Sequence, residues 1–460
     1  MAVQLLAAKW VVPGEGEGKV LEDHTVVVMG DTIVEVIPTA DCAAKYPGVA
    51  ATFSGPRSVL LPGMVNCHTH SPMTLLRGLA DDLKLMPWLT EHIWPAEGAF
   101  VSPEFVRDGT EIAIAEMVKG GTTCFNDMYF FPDEMAKVAH ATGMRARIGI
   151  ICIGFPSAYC GAPDKSMDEN IQAYLDKGCS IKDRDFGGYP LLDVTVAPHA
   201  PYTCGQAGMA TAAALAKKLN VPFHIHLHET CGECTDWEGG TPFMPGHKKR
   251  PVATLAELGL IDERLVAVHM TQLTEDEIKL LADKKAHVVH CPESNMKLAS
   301  GACPVKKLLD AGVNVAIGTD GCASNNDLDM YSEMRSAAFL SKHTAADPEA
   351  VPAHKALYMA TMGGAKALQL DKHIGSLEAG KQADIQAVSM DELEAMPMYN
   401  VISHLVYCTH RSQVTDVWVA GKPLVSAKKL TMMDESALKV KALAWGAKIK
   451  LHQDNATAAK

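Results

Sequence analysis

The sequence has no surplus of positive charge: 42 Lys and Arg stand against 54 Asp and Glu, a formal net charge of −12. Binding to a phosphate backbone rests on clustered cations, so nucleic acid is excluded as a main partner. The N-terminal stretch MAVQLLAAKWVVPG is too short to span a bilayer and lacks a basic leader, so neither export nor a membrane anchor is expected. Nothing suggests a disulfide framework. The 13 cysteines are odd in number, and Cys124, Cys152 and Cys291 fall in or beside apolar, strand-like runs, as reduced thiols of a cytoplasmic protein do. Cys231 and Cys234 form a lone CxxC with no second pair at finger-like spacing, which argues against a structural zinc site there. No GxGxxG follows an early strand, which weighs against a dinucleotide-binding fold.

What is present is an ordinary globular composition, 48% hydrophobic and 21% charged over 460 residues, enough chain for one large domain with an accessory one. The first 60 residues carry short β-rich runs, Thr25 to Met29 and Thr32 to Ile37, separated by a turn at Gly30 and Asp31. A second β-like stretch includes Asp384 to Val388 and Val414 to Val419, with a turn at Gly421 and Lys422. The two are expected to pair into one composite β-sandwich formed by residues 1–60 and 371–430. Residues 431–460 should form a helical tail, with Asp434 as N-cap of a segment running to about Leu451.

Between the terminal segments, short apolar runs alternate with stretches of helical periodicity such as Met209 to Leu219 and Glu275 to Lys284, the mark of repeated βα units and a parallel sheet. Eight such runs end near His70, Met128, Ile153, His199, Glu229, Met270, Pro292 and Asp320. Polar, chemically capable residues close five of them, where barrel enzymes place their sites, so residues 61–370 are expected to form a (β/α)8 barrel, an α/β fold, in preference to a doubly wound sheet.

His68 and His70 are two apart, so in a strand both point to one face and can grip one ion. Alone the pair is weak, because a HxH also arises as simple packing. The fifth run places His224, His226 and His228 on one face, followed by Glu229, and not all three histidines can be ligands. Asp320 closes the eighth run after Gly318 and Thr319. A His/His/His/Asp set with a position left open for water is a hydrolytic design.

Several motifs in consistent order, PGMVNCHTH at the first strand, HxxE at the fifth, HCPESNMKL after the seventh, GTDGCASNND at the eighth and GSLEAGKQADI from Gly375 to Ile385, resemble the amidohydrolase superfamily over essentially the whole chain. Within it, HSPMTLLRGLADDL, WPAE (Trp94 to Glu97), APHAPYT (Ala197 to Thr203) and AVHMTQ (Ala267 to Gln272) resemble the 5'-methylthioadenosine/S-adenosylhomocysteine deaminases. The resemblance implies that His68, His70, His226 and Asp320 hold one divalent metal, zinc or alternatively iron. No lysine closes the fourth run, where binuclear relatives place a bridging one. His226 is preferred because it lies three residues before Glu229, leaving His224 and His228 to packing or to supporting roles.

The same resemblance implies catalytic roles for three residues. Glu229 would shuttle a proton to the purine ring nitrogen, Asp320 would take one from the attacking water, and His269 would orient the resulting hydroxide. It implies that Glu97 accepts hydrogen bonds from ribose hydroxyls, that His199 contacts ribose or purine, and that Trp88 walls the pocket. Trp88 also suits plain core, Glu97 also suits a helix start, and His290 has no assigned role. Relatives that accept S-adenosylhomocysteine well are expected to present arginines from the third strand and its loop. The stretch Ile148 to Asn170 has none, and Lys165 is its only cation, which favours a small apolar tail or no tail. The partner expected is therefore a small nucleoside, and the resemblance suggests a homodimer. The rival readings are a same-fold hydrolase of guanine, a pterin or an s-triazine, dechlorination included, and a non-catalytic scaffold.

Overall fold

The computed structural model describes residues 3–14, 18–181, 190–235 and 249–458. Its centre is a parallel sheet of eight strands in sequence order: β5 (Met64–Thr69), β6 (Thr122–Asp127), β7 (Arg145–Cys152), β8 (Leu192–Pro198), β9 (Phe223–Leu227), β10 (Leu265–His269), β11 (His287–His290) and β12 (Asn314–Ile317). Just beyond β12 the chain returns to β5. Asp320 donates its backbone N–H to the His68 carbonyl at 3.0 Å, and Thr319 donates its own to Asn66 Oδ1 at 3.0 Å. The sheet is thus curled into a barrel, and helices such as Pro103–Lys119, Glu275–Asp283 and Met330–Ala345 follow its strands. Strands enclosed on both faces need apolar side chains on both, which is why they read as unbroken Val, Ile and Ala runs ending in polar residues.

The terminal segments build a second eight-stranded sheet. It contains β1 (Val3–Val11), β2 (Leu21–Met29), β3 (Thr32–Pro38) and β4 (Phe53–Pro62) from the first, and β13 (Ile385–Ser389), β14 (Val414–Val419), β15 (Lys422–Ser426) and β16 (Lys429–Leu430) from the second. The order is β16-β15-β14-β13-β4-β1-β2-β3. The two halves meet where β13 runs antiparallel to β4, Ile385 opposite Pro62 and Ser389 opposite Ser58. From β4 the chain passes into β5 through Gly63, where a Cβ would collide with the Thr123 side chain, so only glycine allows that approach.

Three elements exceed the sequence expectation. Strand β2 starts at Leu21 because its ladder to β1 continues through Trp10 opposite Glu22, although Leu21 to His24 reads as polar. The helix after β8 spans Pro201–Leu219, its first turns disguised by Gly205, which sits at φ 64 inside it. The last helix runs Glu435–Ala458, beyond Leu451. Asp434 Oδ1 accepts the backbone N–H groups of Ser436 and Ala437 at 2.8 and 3.3 Å, the expected cap.

Candidate active site

Strand β5 has one face toward the barrel axis, and His68 and His70 emerge from its end. His226 comes from β9 and Asp320 from the turn after β12. One ligand atom from each of these four residues lies within 4.8 Å of all the others. Asp320 Oδ1 is 3.2 Å from His68 Nε2 and 3.3 Å from His70 Nε2, and His226 Nε2 is 3.1 Å from His68 Nε2. The donor set fits a cation. His70 Nδ1 donates to the Met128 carbonyl and His226 Nδ1 to the His199 carbonyl, both at 2.6 Å. Those bonds fix the proton on Nδ1 and leave Nε2 with its lone pair turned inward. Lone pairs and a carboxylate converging at about 3 Å repel unless a positive ion lies among them. That spacing suits donors about 2.0–2.1 Å from a shared zinc.

Supporting groups hold each donor. Ser294 donates its hydroxyl to Asp320 Oδ2 at 2.7 Å, and the Gly321 N–H reaches Oδ1 at 2.9 Å. His68 Nδ1 lies 3.0 Å from His224 Nε2, and the other ring nitrogen of His224 is 3.1 Å from the Asn126 side chain. His224 thus backs a member of the cluster, while His228 does not share its face. Strand β9 ends at Leu227, the chain turns left-handed at His228 (φ 52), and the His228 ring accepts the Val252 N–H at 3.1 Å. His290 is fully buried with both ring nitrogens lacking a partner.

Glu229 and His269 face each other beside the cluster, Glu229 Oε1 3.8 Å from His269 Nε2. Burial, reinforced by the nearby Asp320 charge, pushes the Glu229 carboxyl up to about 8, so it carries a proton at neutral pH. Asn295 Oδ1, 2.9 Å from His269 Nδ1, accepts its proton and turns Nε2 toward the cluster. A cavity opens over these groups. Trp88, Glu97 and His199 line it with His70, His226, Glu229, His269 and Asp320. Burial raises Glu97 to about 7 against the pull of the Tyr129 hydroxyl and of His70. His199, whose Nδ1 is 3.0 Å from Thr203 Oγ1, is driven down to about 3 by burial and neighbouring histidines, so it is neutral.

The sequence-predicted site residues therefore converge: all but His68 line one cavity, and His68 lies fully buried within the donor cluster. Sequence reasoning missed Tyr129, whose buried hydroxyl acts on Glu97; it lines the cavity together with Trp88, whose buried Nε1 has no protein partner. It also missed Ser294 and Asn295, which sit in plain sight within HCPESNMKL. Farther from the cluster the lining turns apolar, with Leu85, Leu89, Ile93, Phe130 and Phe155, and it includes no Lys or Arg among the described residues. Lys165 is exposed and lies outside that lining.

The model of the Amidohydrolase family matches residues 59–424. The 5-methylthioadenosine/S-adenosylhomocysteine deaminase of Teredinibacter turnerae is 43% identical over 444 residues, covering 96% of this chain and 97% of its own. The crystal structure of an adenosine deaminase from Xanthomonas campestris with bound zinc superposes with a TM-score of 0.91 at 50% identity, covering 97% of this chain and 98% of the other. Atrazine chlorohydrolase from Arthrobacter aurescens, at 21% identity and a TM-score of 0.85 over 96% of this chain and 99% of its own, shares the fold.

Proposed function

The chain belongs to the amidohydrolase family, and on that premise we propose that it is a metal-dependent deaminase converting an adenine nucleoside and water into the inosine analogue and ammonia. The observation that carries this reading is the meeting of a His/His/His/Asp donor set with the buried Glu229 and His269, 3.8 Å apart beside it. His68, His70, His226 and Asp320 would hold one divalent ion, zinc. A bound divalent ion supplies the Lewis acidity that makes water acidic near neutral pH.

The protein's own groups do the rest. Glu229, protonated at neutral pH, donates to the ring nitrogen beside the amino-bearing carbon and makes that carbon electrophilic. Asp320 takes the proton of the attacking water, and His269, its Nδ1 proton held by Asn295, orients the nucleophile through Nε2. Proton delivery to the amino group then releases ammonia. Glu97 accepts from the ribose hydroxyls, His199 contacts ribose or purine, and Trp88 walls the base. This division of labour needs one carboxyl that keeps its proton and one that is ionised, and the raised Glu229 beside the ligand Asp320 supplies the pair.

The apolar outer cavity, with no Lys or Arg among its described lining residues, favours methylthioadenosine or adenosine over the charged amino-acid tail of S-adenosylhomocysteine. The negative net charge fits a cytoplasmic enzyme of small nucleosides with neither nucleic-acid nor membrane partners, and the family resemblance suggests a homodimer. Among the described residues no helix is long and apolar enough to cross a membrane. The test is ammonia release by zinc-loaded protein given the three nucleosides side by side. Turnover of methylthioadenosine and adenosine at a kcat/KM at least about tenfold above that of S-adenosylhomocysteine, the effect of one desolvated charge left unpaired, is expected. Equal use of all three would overturn the tail argument, and silence on all three the deaminase reading.

A further inference from the structure

Glu229 carries the proton in the proposed chemistry, yet the chain delivers it from an awkward place. The residue before it, His228, holds φ 52, and across from it His269 and Met270 hold φ 74 and φ 50. A non-glycine residue in the left-handed region costs on the order of 1 kcal/mol and persists only where its surroundings impose it. Two side chains impose it here. The Glu233 carboxylate, 5% exposed, accepts three successive backbone N–H groups: His228 at 3.1 Å on one oxygen, and Glu229 at 3.0 Å and Thr230 at 3.4 Å on the other. From the carbonyl side the Thr271 hydroxyl lies 2.7 Å from the Glu229 carbonyl and 3.2 Å from that of His228, whose carbonyl also accepts the Thr271 N–H at 2.9 Å. The turn that aims Glu229 is thus gripped by one acceptor side chain and one donor side chain. Thr271 follows Met270 directly, so the same grip ties the Glu229 turn to the chain carrying His269.

We infer that Glu233 and Thr271 are positioning residues of the deaminase: together they lock the left-handed turn at His228 so that Glu229 points at the substrate ring. Neither side chain is among the residues lining the cavity, so their effect passes through Glu229. The inference rests on the assignment of Glu229 as the proton carrier.

Glu233→Gln tests it, because the amide puts an N–H2 group where an oxygen now accepts, leaving at least one backbone N–H without a partner. In zinc-loaded protein with adenosine, kcat is expected to fall about 10- to 100-fold, the effect of misplacing a reacting group by a fraction of an ångström to an ångström, with KM and zinc content unchanged. The double variant Glu229→Gln/Glu233→Gln should be no slower than Glu229→Gln alone, since a residue acting through Glu229 has nothing left to position. If Glu233→Gln does not fold, the opposing grip decides: Thr271→Val should lower kcat about tenfold by the same misplacement, and Thr271→Ser, which keeps the hydroxyl, should restore it. Wild-type kcat in both single variants, or losses that multiply with Glu229→Gln, would overturn the inference. A fully active Glu229→Gln would instead remove the proton-carrier assignment beneath it.

Discussion

The two ends of the barrel treat buried polar groups in opposite ways. At the end where β7 begins, Arg145 meets Asp384 of the terminal sheet in a two-pronged pair, both bonds 2.8 Å and both side chains at most 3% exposed. Asp384 also accepts the Ala420 N–H at 2.9 Å, while Gln386 donates to the Pro62 carbonyl at 3.0 Å and accepts the Tyr331 hydroxyl at 2.8 Å. These groups find their partners inside the protein. At the other end Trp88 Nε1 has none, Glu229 is lifted to about 8 by burial, and Asp320 itself sits at φ 61. Single atoms without a partner also occur at the first end, on Thr122, Thr123 and Arg147, but it is at the second end that ionisable groups converge on an open cavity, as they do where something from solution completes them. The paired end holds the molecule together; the unpaired end awaits an ion and a substrate.

The comparison breaks most visibly at Glu229. Replacing it with Gln should lower kcat about 10²- to 10⁴-fold, the worth of a positioned acid, with zinc content and unfolding midpoint unchanged; steady-state kinetics with metal analysis and a urea melt check both halves. At the paired end the reverse is expected. Asp384→Ala takes both bonds of the two-pronged pair from the buried Arg145 guanidinium and should cost about 3–5 kcal/mol of stability, measured by urea unfolding, while the KM of the folded enzyme stays at the wild-type value.

Smaller effects sharpen the contrast. Glu97→Gln should raise KM for adenosine about 10- to 100-fold, since a hydrogen bond to a charged group is worth about 1.5–3 kcal/mol. Because burial raises Glu97 to about 7 and its ionised form is the acceptor, wild-type kcat/KM should fall as pH drops through that value. In Glu97→Gln that limb should vanish from the pH profile. Tyr129→Phe should lower kcat/KM by about 3- to 10-fold, the worth of a single neutral hydrogen bond of about 0.5–1.5 kcal/mol, read from steady-state kinetics with adenosine.

Much of this was legible in the sequence because parallel strands enclosed on both faces leave a plain trace. Each apolar run ended within three residues of an observed strand end, as with VHM against β10 ending at His269 and GTD against β12 ending at Ile317. His68, His70, His226 and Asp320 could be singled out by position and by motif together. The period-two rule failed at His228, because it holds only while the chain stays extended, and β9 stops one residue earlier. Tyr129, Asn295 and Glu233 could not be read from spacing at all. Their roles come from contacts between separate elements, and nothing local distinguishes Glu233 from the other carboxylates of the chain. The missed part of β2 holds exposed Glu22 and Asp23, and the last helix continues past Leu451 through exposed His452, Gln453 and Asp454, where packing leaves no hydrophobic signature.

The central claim is that the unpaired end of the barrel becomes a deaminase on taking up one metal ion. Its most direct test is to strip the protein with a chelator, add zinc back in steps, and follow both the adenine-to-hypoxanthine ultraviolet change and ammonia release with adenosine. The account predicts activity that rises in proportion to bound zinc, stops rising at about one ion per chain as a four-donor mononuclear site requires, and yields one ammonia for each inosine formed. Protein filled to that level that releases no ammonia from adenosine or methylthioadenosine would contradict it.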